Sequence, residues 1–155
     1  KFIFLGNGPE KDKLLFVKNK LMLFNVFFCD SVPKNEMPAI LYHIDASIIP
    51  LKKIDLFKGA IPSKIFECLA MKKTILLGVE GEAKELFIDE GKAGLSFTPE
   101  DDEDLANKII KLFHNRKLAE QLGENGYNYV KKNFLRNEIA DKFWKILNDS
   151  FLFRQ

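Results

Sequence analysis

The amino-acid sequence predicts an α/β fold in which a parallel sheet is covered by helices on both faces. Short apolar segments of strand length alternate with segments of helical spacing through residues 1–99. The strand segments are almost continuously apolar, as expected for strands that are buried on both faces of a sheet. Three more helical segments follow Pro99 without a strand between them. These observations predict a Rossmann-like, doubly wound domain whose residues 100–155 form a helical C-terminal tail.

The spacing of apolar residues places the individual elements. The predicted strands are residues 2–5, 25–29, 46–50, 74–77 and 93–97, and the predicted helices between them are residues 10–23, 31–43, a helix opened by Pro62, and residues 82–90. Pro62 suits the first helical position, because the N–H that proline lacks would be unpaired there anyway. Residues 51–59 are predicted to be a loop.

The tail is predicted to contain three helices. Asp101 and Asp102 favour the start of the first through their charge against the helix dipole, and its predicted buried stripe is Leu105, Ile109, Leu112 and Phe113. The second runs over about residues 117–131, and the third holds Ile139, Phe143, Ile146 and Leu147, with Trp144 beside them.

Composition excludes several classes of protein. The 155 residues, 46% of them apolar, are enough to bury a core without a disulfide or metal. A net charge of +2 from 24 basic and 22 acidic residues offers no broad basic surface for nucleic acid. No apolar run is long enough for a transmembrane span. Cys29 and Cys68 lie in apolar runs and are predicted to be reduced, buried thiols. The chain begins at Lys1 and enters a strand at once, which we interpret as a piece of a longer protein.

Candidate functional residues are those that follow the strands, since ligands of open parallel sheets bind at the carboxyl ends of the strands. Gly6-x-Gly8 is weak evidence for a nucleotide, because Lys11 stands where the dinucleotide fingerprint has a third glycine, and a tight turn explains the pair. No metal-ligand spacing occurs. His43 and His114 fall at the ends of predicted helices and are interpreted as structural or solvated.

The most informative single residue is Glu67, on the helix opened by Pro62. Its neighbours Ile65, Phe66, Cys68 and Leu69 are apolar, so a carboxylate there requires hydrogen-bond partners. The vicinal hydroxyls of a ribose would supply them. An ion pair with Lys64, three residues earlier, is the alternative that helix geometry alone favours.

Several segments, taken in order, resemble glycosyltransferase family 4, and the resemblance covers nearly the whole chain. They are Gly6-Asn-Gly8-Pro9, Phe28-Cys-Asp30-Ser31-Val32, Pro62-Ser-Lys-Ile-Phe-Glu67-Cys-Leu-Ala70, Gly81-Glu-Ala and Gly94. The helix with Glu67 is the most specific part, and it is most similar to members that build bacterial capsule or O-antigen sugars. These are retaining enzymes of the GT-B fold, with two Rossmann-like halves around the active site.

The resemblance implies roles for individual residues. Glu67 matches the second glutamate of the E-x7-E motif, which binds the nucleotide ribose. The first glutamate would fall at position 59, so Gly59 stands where family members contact the transferred sugar. Val32 matches the residue whose backbone pairs with the base, and Ser31 before it is assigned to the same donor nucleotide site. Gly81, Glu82 and Ala83 match a turn whose amides face the donor sugar or diphosphate, and Lys64 is placed to reach the diphosphate. Ser63 is interpreted as a helix cap rather than a ligand.

The resemblance also implies an overall assignment. Residues 1–155 correspond to a single domain, the C-terminal, donor-binding half of a GT-B protein, lacking its first βα unit and the basic pair that binds the diphosphate. Catalytic residues are expected in the absent N-terminal half, so the chain alone is expected to be inactive. The expected partners are a nucleotide sugar, of UDP type, that N-terminal half, and a lipid-linked or saccharide acceptor. No cofactor or metal is expected, and the implied location is the cytoplasm or the inner face of its membrane.

Two other functions remain open at this point. Another GT-B enzyme, such as a UDP-sugar epimerase, would have the same sheet and nucleotide site. A non-catalytic α/β binding module is the third possibility; Asp30 and Asp45 are too dispersed for a phospho-acceptor cluster.

Overall fold

The strands of the structure run parallel, as the sequence predicts. The structure is a computed structural model that describes the backbone of residues 1–152 and the side chains of residues 1–149. Contacts divide the chain into two compact units, Lys1–Ile40 and a second unit that begins at Leu41. Each contains its own parallel sheet.

The first unit consists of a two-stranded sheet and its connecting helix. Strand β1 (Phe2–Leu5) leads through helix α1 (Lys11–Lys20) to strand β2 (Val26–Cys29). The strands pair in parallel, with Phe2 opposite Val26 and Leu5 opposite Cys29. A 3-10 turn (Lys34–Glu36) then leads into helix α2 (Met37–His43), so the helix predicted over residues 31–43 begins six residues later than predicted. Cys29 is exposed, so the prediction of a buried thiol is wrong there. It is the last residue of β2, where the strand leaves the sheet.

The second unit contains a three-stranded parallel sheet in the order β3-β4-β5. These strands are Ala46–Pro50, Thr74–Gly78 and Gly94–Ser96. Every residue of the central strand β4 is buried. This double-sided burial explains the apolar run Ile75–Leu77, because neighbouring side chains of a strand point to opposite faces.

The helices of the second unit connect and cover these strands. A 3-10 turn (Asp55–Gly59) and helix α3 (Lys64–Ala70) lie between β3 and β4. Helix α4 (Glu82–Lys84) passes directly into a π-helical turn (Glu85–Glu90) before β5. Helices α5 (Asp102–His114), α6 (Arg116–Asn133) and α7 (Arg136–Leu152) follow. Leu76 of β4 packs in one cluster with Phe97, Leu112 and Leu122.

Two predictions about helix positions are corrected. Helix α3 begins at Lys64, so Pro62 precedes it and accepts a hydrogen bond from the Ile65 N–H through its carbonyl oxygen, at 3.0 Å. Phe113 is 71% exposed although it was predicted to be buried. Adjacent helix residues lie about 100° apart, and Leu112, which is buried, takes the position that faces the sheet.

The helical tail otherwise follows the prediction. Asp101 is the N-cap of α5, and its side chain accepts a hydrogen bond from the Asp104 N–H at 2.9 Å. His43 and His114 are the last residues of α2 and α5. Within residues 1–152, no helix is both long and apolar enough to cross a membrane.

Candidate functional site

The carboxyl edge of the second sheet carries most of the predicted site residues. The loop after β3 leads to α3, and the turn after β4 leads to α4. Because the strands are parallel, these connections emerge at one edge of the sheet. A surface depression lies there, lined by residues from the loops after all three strands, among them Lys52, Phe57, Lys58, Val79, Glu80 and Pro99.

Gly81 joins two of these loops. Its φ of +77° is a backbone conformation that side chains disfavour, and a Cβ built on it would stand 2.4 Å from the carbonyl oxygen of Lys58. Only glycine therefore fits at this position. Ala83, two residues later, is fully buried, whereas Glu82 is exposed. Within the predicted Gly81–Ala83 turn, the side chain of Ala83 thus packs in the core.

Gly59 has the opposite environment. It is exposed at the end of the 3-10 turn, and a Cβ built on it would meet nothing within 4 Å. The preceding Lys58 forms an ion pair with Asp55, with Nζ 2.7 Å from the carboxylate oxygen. The hydrogen bond to Asp55 raises the pKa of Lys58, so the ammonium stays charged. The sequence predicted a loop here and missed this short turn.

Two carboxylates fix the loop after β5. The side chain of Asp104 accepts hydrogen bonds from the Thr98 N–H at 2.8 Å and from its hydroxyl at 3.1 Å. The bond from the Thr98 N–H is the main reason why the pKa of Asp104 lies below its usual value. Glu100 accepts a hydrogen bond from the backbone N–H of Lys53 at 3.3 Å. The Asp104 contacts tie the loop after β5 to the first turn of α5, and the Glu100 contact ties it to the loop after β3. Sequence reasoning missed both.

Glu67 lies in the first turn of α3 and is half-buried. Ile65, Cys68 and Leu69 around it are buried. Among the side chains that the structure describes, none forms a hydrogen bond or an ion pair with the Glu67 carboxylate. The ion pair with Lys64 that helix spacing favoured is therefore not formed. The helix dipole favours an acid in the first turn, but it leaves the carboxylate oxygens without partners.

Lys64 and Ser63 precede Glu67 on the same segment. Lys64 is exposed, and its ammonium likewise has no ion-pair partner within residues 1–149. Ser63 occupies the N-cap position of α3, but its side chain forms no capping hydrogen bond. Its backbone is already helical, with φ −58° and ψ −27°, whereas a capping side chain requires extended backbone.

Helix α3 is held in place by an aromatic cluster and by its thiol. Phe66 packs against Phe87 and Phe134, with ring centroids 5.4 and 5.3 Å apart. Tyr129 lies against both of those rings and donates a hydrogen bond to Glu90 at 2.8 Å. Cys68 is buried, which raises the pKa of its thiol, whereas Ser47 of β3 acts in the opposite direction. The helix that carries Glu67 is thus fixed to the sheet and to the π-helical turn.

Ser31 and Val32 belong to the first unit. They follow β2, with Ser31 exposed and Val32 half-buried. Across the described residues, no three or more His, Cys, Asp or Glu side chains are grouped as ligands of a metal ion would be. By the division of the chain into two units, the predicted site residues form two groups. The first unit contains Ser31 and Val32, and the second contains Gly59, Lys64, Glu67, Gly81, Glu82 and Ala83.

Comparison with solved structures shows the same fold in known enzymes. Sucrose-phosphate synthase from Thermosynechococcus elongatus superposes with a TM-score of 0.77 and 19% identity, over 97% of this chain and 38% of that one. HepE from Anabaena, solved with UDP-glucose, gives a TM-score of 0.77 at 18% identity, over 95% of this chain and 40% of that one. The fold is thus Rossmann-like, with neighbours of the GT-B type.

Comparison of sequences identifies the family. An uncharacterized glycosyltransferase from Methanocaldococcus jannaschii is 26% identical over 144 residues, which are 93% of this chain and 36% of that protein. The chain thus spans less than half the length of these relatives. The sequence pattern of the family described as glycosyl transferases group 1 matches residues 1–129. With a match over most of its length, the chain belongs to the group 1 glycosyl transferases.

Proposed function

We propose that the chain is the donor-binding half of a retaining GT-B glycosyltransferase. Residues 1–155 would form one incomplete nucleotide-sugar-binding domain, and the N-terminal half of the same protein would complete the cleft. The full enzyme would transfer a hexose or N-acetylhexosamine from a UDP-sugar to a lipid-linked or saccharide acceptor. The observation that carries the proposal is the half-buried carboxylate of Glu67 at the carboxyl edge of the sheet, which has no partner among the side chains of residues 1–149.

The chemistry of Glu67 suits a ribose. A carboxylate accepts hydrogen bonds through two oxygens, and the two vicinal hydroxyls of a ribose offer two donors with matching spacing. An anion that is partly removed from water gains most from such donors, because its own hydration is already reduced. The solved complex of HepE with UDP-glucose supports a nucleotide sugar as the ligand of this fold.

The departing diphosphate needs positive charge or N–H donors near it. We assign this role to Lys64, which has no ion-pair partner among the described side chains, and to the backbone amides of Gly81, Glu82 and Ala83. Such fixed donors stabilise charge that develops on the leaving group as the glycosidic bond breaks. Gly59 would leave open space beside the transferred sugar, since a Cβ there meets nothing within 4 Å.

The biological setting follows from the resemblance of the α3 segment to enzymes of capsule and O-antigen synthesis. We place the protein in bacterial surface polysaccharide biosynthesis, in the cytoplasm or peripherally at the inner face of the cytoplasmic membrane. The chain alone would bind the donor but transfer nothing, since the acceptor side would be supplied by the N-terminal half.

The direct test of the site is a titration of the isotope-labelled chain with UDP, followed by NMR of the backbone amides. We expect shifts centred on Val32, Lys64, Glu67 and Gly81. Shifts centred elsewhere would refute the site. Product analysis of the complete protein with UDP-sugars tests the reaction: transfer with retained anomeric configuration is expected, whereas an epimerised free or nucleotide-bound sugar would identify an epimerase.

A further inference from the structure

The segment that follows β2 has free backbone groups at its centre. Neither the N–H nor the C=O of Val32 has a hydrogen-bond partner within the part of the chain that the structure describes. Val32 is half-buried, and the 3-10 turn starts two residues later. A free N–H next to a free C=O can pair with the edge of a nucleobase, which presents an acceptor beside a donor. A segment of this kind is useful for recognition only if its position is fixed.

Side chains from the turn after β1 fix it. The Lys11 ammonium donates hydrogen bonds to Asp30 Oδ1 at 2.7 Å and to Asn7 Oδ1 at 2.9 Å. The Asn7 amide in turn donates to Ser31 Oγ at 3.4 Å. The two residues before Val32 are therefore both held, one by Lys11 and the other by Asn7. We call these four residues, Asn7, Lys11, Asp30 and Ser31, the unit 1 clamp.

The turn that carries the clamp is itself anchored to β2. The Gly6 N–H donates to the carbonyl oxygen of Cys29 at 3.0 Å, and the φ of Gly6 is +127°, which directs the chain back toward α1. The Lys11 N–H donates to the Gly8 carbonyl oxygen at 3.1 Å. Gly6 and Gly8 therefore have a structural role in this turn, and that role requires no contact with a phosphate.

The position of Lys11 also needs an explanation. It is the first residue of α1, where the helix dipole disfavours a cation. Its side chain is only 24% exposed, whereas that of Asp30 is 85% exposed. The Lys11 side chain therefore lies against Asn7 and Asp30 and does not extend into water. Asn7 and Asp30 already use two of the three N–H donors of its ammonium, which leaves one donor for any further acceptor.

We propose that Asn7 and Lys11 are positioning residues that hold Asp30 and Ser31 so that the backbone of Val32 is presented to the nucleotide base. This inference rests on the proposed function, and it adds that base selectivity depends on the unit 1 clamp. Neither residue contacts the base; both act through the segment that does.

The test compares nucleotide selectivity in the complete protein. Lys11→Met and Asn7→Ala remove the clamp contacts, and Lys11→Arg keeps a cation within reach of Asp30. Lys13→Met is the matched control, since Lys13 lies on the same helix and, within the described part of the chain, forms an ion pair with the exposed Glu10 alone, at 3.1 Å. Dissociation constants for UDP and for ADP are measured by calorimetry, together with KM and kcat for the UDP-sugar.

We expect Lys11→Met and Asn7→Ala to weaken UDP binding about three- to tenfold, the effect of one or two lost hydrogen bonds. ADP binding should change less, so the preference for UDP should fall, and KM should rise more than kcat falls. Lys11→Arg should restore much of the preference, and Lys13→Met should change nothing. An unchanged preference, or equal weakening of both nucleotides, would overturn the clamp. A wild-type protein that binds neither nucleotide would instead refute the proposed function, and with it the ligand assigned here.

Discussion

Gly81 and Gly59 lie in neighbouring loops of one unit, and their backbones have different requirements. Gly81 needs a positive φ, and its α-carbon lies close to the Lys58 carbonyl oxygen. Gly59 has neither constraint. At the residue scale, position 81, in the turn proposed to face the diphosphate, therefore requires glycine. Position 59, where the first glutamate of the motif would fall, accepts other residues.

Gly81→Ala should destabilise the chain. The backbone conformation alone would cost about 1–3 kcal/mol, and a methyl group 2.4 Å from a backbone oxygen adds to it. Urea denaturation followed by circular dichroism measures the loss. Gly59→Ala is the control and should stay within about 0.5 kcal/mol of wild type. Equal stability of the two variants would show that Gly81 is not required by its geometry.

Candidate residues could be chosen from the sequence, but the neighbours of those residues in the folded protein could not be predicted as well. Glu67 could be singled out because a carboxylate among apolar neighbours needs partners, but helix spacing favoured the wrong partner, Lys64. Whether two side chains three residues apart meet depends on rotamers and on neighbours that a sequence does not display. Cys29 and Phe113 were predicted to be buried from their apolar segments, and both are exposed. Cys29 is the last residue of its strand, whereas Phe113 points away from the side of α5 on which Leu112 is buried.

At the scale of elements, the position of α3 depends on close packing by α6. A Cβ at Gly123 would stand 2.1 Å from the Lys72 carbonyl oxygen, in the turn after α3. A Cβ at Gly126 would stand 2.5 Å from Leu69 Cδ2. Two glycines three residues apart thus let α6 lie directly against the helix that carries Glu67. The ion pair between Lys72 and Glu124, at 2.8 Å, spans the same contact.

Gly123→Ala should destabilise the second unit by about 1–3 kcal/mol, because the obstacle is backbone that cannot rotate away. Alanine favours a helix over glycine by up to about 1 kcal/mol. This gain reduces the destabilisation caused by the clash but does not cancel it. Asn128→Ala, at an exposed position of the same helix, is the control and should be neutral or slightly stabilising. Thermal unfolding of both variants makes the comparison; a Gly123→Ala variant as stable as the control would mean that α6 does not pack as described.

The contact between α6 and the π-helical turn is sensitive to alkali. Burial and the hydrogen bond to Glu90 raise the pKa of Tyr129 to about 12, from a usual value of 10. Because the folded-state pKa is raised, the neutral Tyr129 hydroxyl contributes its stability fully below pH 10, and this contribution is lost as the pH rises through about 12. The stability advantage of wild type over Tyr129→Phe should therefore shrink over this range.

Absorbance near 295 nm offers a separate measurement of the same group. The difference between the titration curves of wild type and Tyr129→Phe should have its midpoint near pH 12. A midpoint near 10 would contradict both the burial of the Tyr129 hydroxyl and its hydrogen bond to Glu90.

Regular elements were easier to predict than the connections that shape the site. Strand β4 and helix α5 follow from an apolar run and an apolar stripe. The 3-10 turn at Asp55–Gly59 and the π-helical turn at Glu85–Glu90 have no apolar period of their own, and the sequence predicted a loop and an ordinary helix there. The aromatic cluster of Phe66, Phe87, Tyr129 and Phe134 joins residues far apart in the chain, so only the folded structure displays it.

At the scale of the whole molecule, membership of the group 1 glycosyl transferases is shown by the match over residues 1–129. The donor, the acceptor and the reaction are proposals, since the chain covers 36–40% of the relatives described above. The second unit contains a half-buried carboxylate at Glu67 and an exposed lysine at Lys64, neither with an ion-pair partner among the described side chains. The first unit contains a backbone segment held by the unit 1 clamp. The roles of these groups toward a nucleotide sugar belong to the proposal.

The most direct measurement of the central claim is the affinity of the complete protein for UDP, by calorimetry, with and without the charge of Glu67. Glu67→Gln keeps the shape of the side chain and removes a charge-assisted hydrogen bond worth about 1.5–3 kcal/mol. We predict a loss of about 10- to 150-fold in affinity. Glu120→Gln, at an exposed position of α6, should bind UDP as wild type does. Wild-type affinity in the Glu67→Gln protein would contradict the claim that this carboxylate binds the nucleotide.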